Sequence, residues 1–310
     1  TLYKDAARIW KVDPTEYEFK KDSIPRIYFE ETRLMGKKRG DSIQVYNTKG
    51  VFYPTMNIWK GNSGTLDWDK VGLDSEEIYC KTKNYKVKTN KSEIRIDEVD
   101  FYYTSIFNKP LKGKYYEKLI ANANPDKNSY PRFESIGNDI EIKNIVKNAN
   151  YRGGFALHGR KVIGKGTKEK DASITFFKND TIFLKVKSKA FYIRFEENII
   201  APNSYSAFYI KKDSIIHPGA EFKVNIGAES VNLIRGEFGI AKTDFYNSLN
   251  EYEINCEAIE WYFDSDVIDF KMIIGAGDKP VVFQSIDFYK DNRFLKYQGG
   301  LSYNPISKIK

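Results

Sequence analysis

Apolar and polar residues alternate along most of this chain with a period of two. The pattern is cleanest in Ile174-Thr175-Phe176, Ile182-Phe183-Leu184-Lys185-Val186 and Phe191-Tyr192-Ile193-Arg194-Phe195. Such alternation belongs to strands with one face buried and one face wet. Its recurrence at intervals of about ten residues predicts a sandwich, barrel or solenoid. In the N-terminal half, strands are expected over 27–29, 43–46, 51–53, 78–81, 85–87 and 94–103. Turns are expected at Met35-Gly36, Thr48-Lys49-Gly50 and Gly61-Asn62-Ser63-Gly64. The best helix candidate is 115–123, which Asn124-Pro125 would end. A second ladder of strands runs from 140 to 288. The expected fold is all-β: a stacked or solenoid-like antiparallel strand array in two β units with one short helix between them. The expected boundaries are an N-terminal unit over 1–125, a polar transition over 126–150 and a C-terminal unit over 151–310.

Composition supports strands. Of the 310 residues, 41% are hydrophobic and 15% aromatic, chiefly Tyr and Phe, enough for a substantial core. The formal charge of +8 raises the question of a polyanionic partner, but basic and acidic residues are interspersed. Lys outweighs Arg, and the densest basic run, Lys37-Lys38-Arg39, is too short to line a groove. Nucleic acid is therefore not an expected partner. No apolar run approaches the roughly 18 residues of a membrane-spanning helix. The two cysteines, Cys80 and Cys256, have no metal-type spacing; they read as buried free thiols, with a single long-range disulfide as the alternative. Beginning at Thr1 and ending on Ile309-Lys310, the chain is expected to be a fragment or a processed product.

Catalytic patterns are weak. Gly159 to Gly166 has phosphate-loop spacing as far as Lys165, but Gly166 stands where a Ser or Thr would hold magnesium, and a strand follows. A Gly-rich hairpin is the expected form. Carboxylates pair in sequence at Asp97/Asp100, Glu257/Glu260, Asp264/Asp266 and Asp266/Asp269, which sequence spacing alone does not make an acid–base pair. His158 and His217 sit in no ligand pattern, and His217-Pro218-Gly219 reads as a turn. No catalytic residue, metal site or cofactor is assigned. Trp59 and Trp68 flank the Gly61–Gly64 segment; they are expected to pack together, with a glycan-stacking platform as the functional alternative.

Several segments carry a resemblance. Gly50-Val51-Phe52-Tyr53-Pro54, Trp59-Lys60-Gly61, Tyr130-Pro131-Arg132-Phe133-Glu134-Ser135, Tyr151-Arg152-Gly153-Gly154-Phe155 and the stretch from Lys212 to Gly219 resemble a family of very large, functionally uncharacterised envelope proteins of Bacteroidota. The likeness covers most of 40–300. It implies export to the periplasm, outer membrane or cell surface, and other envelope proteins as partners. In that setting the Asp-Ser/Thr-Ile tripeptides at Asp22, Asp41, Asp180 and Asp213 look like O-glycosylation acceptors, which would place sugars on Ser23, Ser42, Thr181 and Ser214. The strand texture is also similar at fold level to OstA-like periplasmic β-jellyroll proteins, which implies lipid or glycolipid binding in an apolar groove. The expected function is a non-enzymatic structural or interaction segment, not membrane-spanning. A lipid conduit and a glycan-binding module are the alternatives.

Overall fold

The alternating segments become strands nearly everywhere. A computed structural model describes residues 1–124, 128–249, 251–273 and 280–286. Among them are 26 strands and three short 3-10 turns, with no helix of seven or more residues. The protein is all-β and its strands pair antiparallel. The helix expected over 115–123 is instead the end of the strand Leu111–Lys118 and a turn. Tyr115 and Glu117 point inward while Lys114, Tyr116 and Lys118 face outward, a period of two that decides for strand.

Contacts divide the chain into two units. The first comprises Thr1–Ile142, Arg152–Ala172 and Ala190–Arg194; the second comprises Lys143–Tyr151, Ser173–Lys189 and Phe195–Lys310. The division is therefore interleaved and does not fall at one linker. The stretch expected as a transition, 126–150, holds the strands Arg132–Ser135 and Ile140–Val146.

The first unit is organised by one long hairpin, Arg26–Lys38 with Asp41–Tyr53, whose register shifts twice, between Phe29 and Thr32 and between Thr32 and Leu34. Such bulges bend a strand and strengthen its twist. The two ends of each strand then meet different neighbours. Tyr17–Lys20 lies beside Arg26 to Phe29, whereas Arg8–Val12 lies beside Leu34 to Lys38. On the other side, Ile58–Gly61 pairs with Gly50 to Tyr53, and Gly64–Asp67 joins at Tyr46. Met35-Gly36 and Thr48-Lys49-Gly50 are thus strand interior, not turns. The Gly61–Gly64 segment is not a hairpin either: both flanking strands run along Asp41–Tyr53. The unit's core contains Trp10, Leu34, Val45, Trp59, Leu66, Trp68, Phe101, Tyr115, Phe133 and Phe155. Phe101 and Phe133 stack with centroids 4.1 Å apart.

The second unit has a hairpin of the same design, Asn198–Ile210 with Asp213–Asn225. The hairpin's landmarks recur 172 positions on: strand starts 26 and 41 become 198 and 213. The register shifts recur as well, Phe29, Thr32 and Leu34 becoming Ala201, Ser204 and Ser206. Opposite partners follow, Gly50, Thr48 and Val45 becoming Phe222, Ala220 and His217. The next strand also follows, Tyr53↔Ile58 becoming Asn225↔Ser230. Across the paired strands only Ile27/Ile199 and Asp41-Ser42-Ile43/Asp213-Ser214-Ile215 are identical at this spacing. The core here is Phe176, Phe208, Phe222, Val224, Leu233 and Trp261, with the Phe176 and Trp261 rings edge to face at 5.8 Å. His217 is fully buried within Asp213–Asn225, so its segment is a bulged strand and not a turn.

Candidate functional site

The densest group of ionisable side chains lies where the first hairpin turns. Asp41 opens the second strand after Gly40, which adopts φ +73°. Lys70 projects from the 3-10 turn Asp69–Val71 and reaches Asp41 Oδ1 at 3.1 Å, Glu117 Oε1 at 2.5 Å and the Ser42 carbonyl at 3.3 Å. Asp41 Oδ2 accepts from the Ile120 amide at 2.7 Å. Glu117 is buried and its Oε2 accepts from the Tyr115 hydroxyl. A cavity of about 370 Å³ opens over this group, lined by Lys37, Lys38, Gly40, Asp41, Ser42 and Lys70 among others.

Electrostatics explains what the group can do. Burial pulls the Lys70 ammonium down, but Glu117 and Asp41 outweigh it and hold Lys70 above its ordinary value. Lys70 stays protonated at neutral pH, so it is not a nucleophile here. Burial raises Glu117 despite Lys70 beside it, and burial raises Tyr115 far above its ordinary range. One cation between two carboxylates ties a turn, a hairpin and the strand Leu111–Lys118 together. In the second hairpin the same place is taken by Ser248, whose hydroxyl meets Asp213 Oδ1 at 3.3 Å and the Ser214 amide at 2.8 Å. The carboxylate at the start of the strand is common to both units; the half-buried lysine belongs to the first.

A second group lies across neighbouring strands. His158 Nε2 is 3.2 Å from Glu134 Oε1, and Lys165 Nζ is 2.6 Å from Glu134 Oε2. Burial would raise Glu134, but Lys165 and His158 hold it below its ordinary value, while burial and Arg132 lower His158. Three positions before Lys70, burial and the Asp69 carboxylate push Asp67 up to about 6. Sequence reading missed Lys70, Glu117 and the Glu134–His158 pair. Partners separated by 24 to 47 positions leave no local signal.

The residues singled out in the sequence have other surroundings. Trp59 and Trp68 have 0% exposure, so neither offers a ring face to a sugar, which corrects the platform expectation. The carboxylates Asp100, Asp264, Asp266 and Glu260 are tied to Lys112, Lys147, Lys178 and Lys271 respectively. Gly159, at φ +57°, turns the chain between the strands Ala149–His158 and Lys161–Lys165, the Gly-rich hairpin form. Cys80 and Cys256 are both buried free thiols. Of the four tripeptide hydroxyls, Ser23 and Thr181 are on exposed residues, whereas Ser42 and Ser214 are half-buried in strands. No described helix is long and apolar enough to cross a membrane. No family model, curated protein or solved structure matches the chain.

Proposed function

We propose that this chain is a non-enzymatic structural and interaction segment built from a repeated β unit, working among exported envelope proteins of the kind its segments resemble. The observation that carries this reading is the register-for-register recurrence of the bulged hairpin at 172 residues. What recurs is backbone geometry and the Asp41/Asp213 carboxylate that opens the second strand; the Lys70 and Glu117 partners around the first do not recur. Repeated strand units that share a scaffold but not a reactive group suit an extended binding framework. The Lys70 group fits this reading, because it pins strands together and keeps its amine protonated.

A lipid conduit would need a groove lined by Phe, Ile and Leu. The described cavities of the first unit are lined mainly by Lys, Asp, Glu, Asn and Gly. The test is native mass spectrometry of the protein taken from its own envelope, before and after mild detergent. Retention with other proteins, with hexose-type increments on peptides containing Ser23 or Thr181, is the expected result. A releasable adduct of lipid mass would overturn the scaffold reading.

A further inference from the structure

Tyr17–Lys20 is a strand with one occupied edge. It pairs with Arg26–Lys38, Tyr17 opposite Phe29 and Lys20 opposite Arg26, and among the described residues no strand lies along its other edge. All four residues are exposed, and the two on its apolar face are unusually so, Tyr17 at 67% and Phe19 at 53%. An open edge carrying adjacent aromatic side chains is a template for another strand.

The chain contains a covered version of this strand. Tyr17–Lys20 comes just before the first long hairpin; Ala190–Arg194 comes just before the second. At a spacing of 174, Tyr17, Phe19 and Lys20 correspond to Phe191, Ile193 and Arg194: an aromatic ring first, an apolar residue third and a base fourth. Lys161–Lys165 pairs antiparallel along Ala190–Arg194, Val162 opposite Ile193 and Gly164 opposite Phe191. There the two apolar residues are inside, Phe191 at 0% and Ile193 at 3%. The pairing has a steric logic. A β-branched residue faces Ile193, and a glycine faces the larger Phe191 ring.

We infer that the open edge of Tyr17–Lys20 is a strand-docking site for an antiparallel strand from a further repeat of this fold. The incoming strand is the counterpart of Lys161–Lys165, with a β-branched residue opposite Phe19 and a small residue opposite Tyr17. Recognition is by main-chain hydrogen bonds for affinity and alternate side chains for register. The inference deepens the repeated-scaffold reading and rests on it. Failure here alone would still leave that scaffold free to bind through another surface, which the native mass spectra report separately.

The test adds a synthetic peptide of residues 159–166 in trans to the full chain and follows amide hydrogen exchange. Slowed exchange confined to Tyr17–Lys20 is the expected result. A peptide with Val in place of the glycine equivalent to Gly164 should bind about tenfold more weakly. In the chain, Glu18→Pro and Phe19→Glu should each abolish the protection. Both lie on an exposed strand, so circular dichroism and the thermal midpoint should stay close to the parent's. Unchanged exchange at about 1 mM peptide would overturn the assignment. So would protection elsewhere in the chain, or a concentration-dependent dimer sealing Tyr17–Lys20 without the peptide.

Discussion

Trp59 and Trp68 are equally deep and differently satisfied. Trp59 Nε1 donates to the Tyr85 hydroxyl at 3.0 Å, Tyr85 pairs with Thr48 Oγ1 at 2.7 Å, and Thr48 donates to the Ser63 carbonyl at 2.6 Å. Burial pushes the Tyr85 phenol up to about 12, so it holds its proton and can donate. Trp68 Nε1, also buried, meets no acceptor, and its ring sits edge-on to Phe101 and Tyr115. Trp59→Phe removes packing and one member of a buried hydrogen-bond chain; Trp68→Phe removes packing and an unsatisfied donor. We expect Trp59→Phe to cost about 2–3 kcal/mol and Trp68→Phe about 1 kcal/mol less, read from urea midpoints. The reverse order would mean that the Trp59 chain contributes nothing net.

At the scale of elements, the Lys70 group joins pieces that the backbone alone would leave loosely placed. Removing its cation strands Asp41 and Glu117 in a poorly solvated place. Lys70→Met should therefore destabilise the first unit by about 3–5 kcal/mol, and adding Glu117→Gln should recover part of that loss. Equal stabilities for the single and double variants would show that the ion pair is not what holds the turn. Elements also show where sequence reading went astray. Gly36 is expected to mark a turn, yet it lies mid-strand, where a Cβ would come within 2.8 Å of the Trp10 ring and only glycine fits. Gly50 is constrained in the same way, by the Lys60 carbonyl at 2.3 Å from a Cβ. A glycine needed for close approach and a glycine needed for a turn look alike in one sequence. In 115–123, helix-favouring residues outweigh a strand alternation only a few residues long, so the local sequence suggests helix where the pairing makes strand.

At the scale of the whole molecule, the second unit contains a proton-sensitive support. His217 Nδ1 accepts from the Gly219 amide at 3.0 Å, its Nε2 donates to the Thr243 carbonyl at 2.9 Å, and its ring lies 4.6 Å from that of Phe245. These bonds suit the neutral ring, and burial lowers His217 below its ordinary 6.5. With a lowered folded value, the stabilising contribution is complete above 6.5 and is lost as pH falls through the folded value. The wild-type denaturation midpoint should drop between about pH 7.5 and 5.5, whereas His217→Asn should be weaker at the higher pH and drop less. Identical pH profiles would remove His217 from the account.

The fold class was legible in the chain because alternation is local: Ile174-Thr175-Phe176 and Phe191-Tyr192-Ile193 state which side of a strand is buried without knowing its neighbours. The burial of Cys80 and Cys256 was legible for the same reason. Other features depended on partners remote in sequence. The repeated hairpin keeps only Ile27/Ile199 and the Asp-Ser-Ile tripeptide, since many side chains satisfy one register of backbone hydrogen bonds. The burial of Trp59 and Trp68, the meeting of Lys70 with Glu117, and the contrast between open Tyr17–Lys20 and covered Ala190–Arg194 arise only when strands are laid side by side. Residue identity specifies which face of a strand is apolar; which strand covers that face is a long-range choice, set by the packing of the whole core.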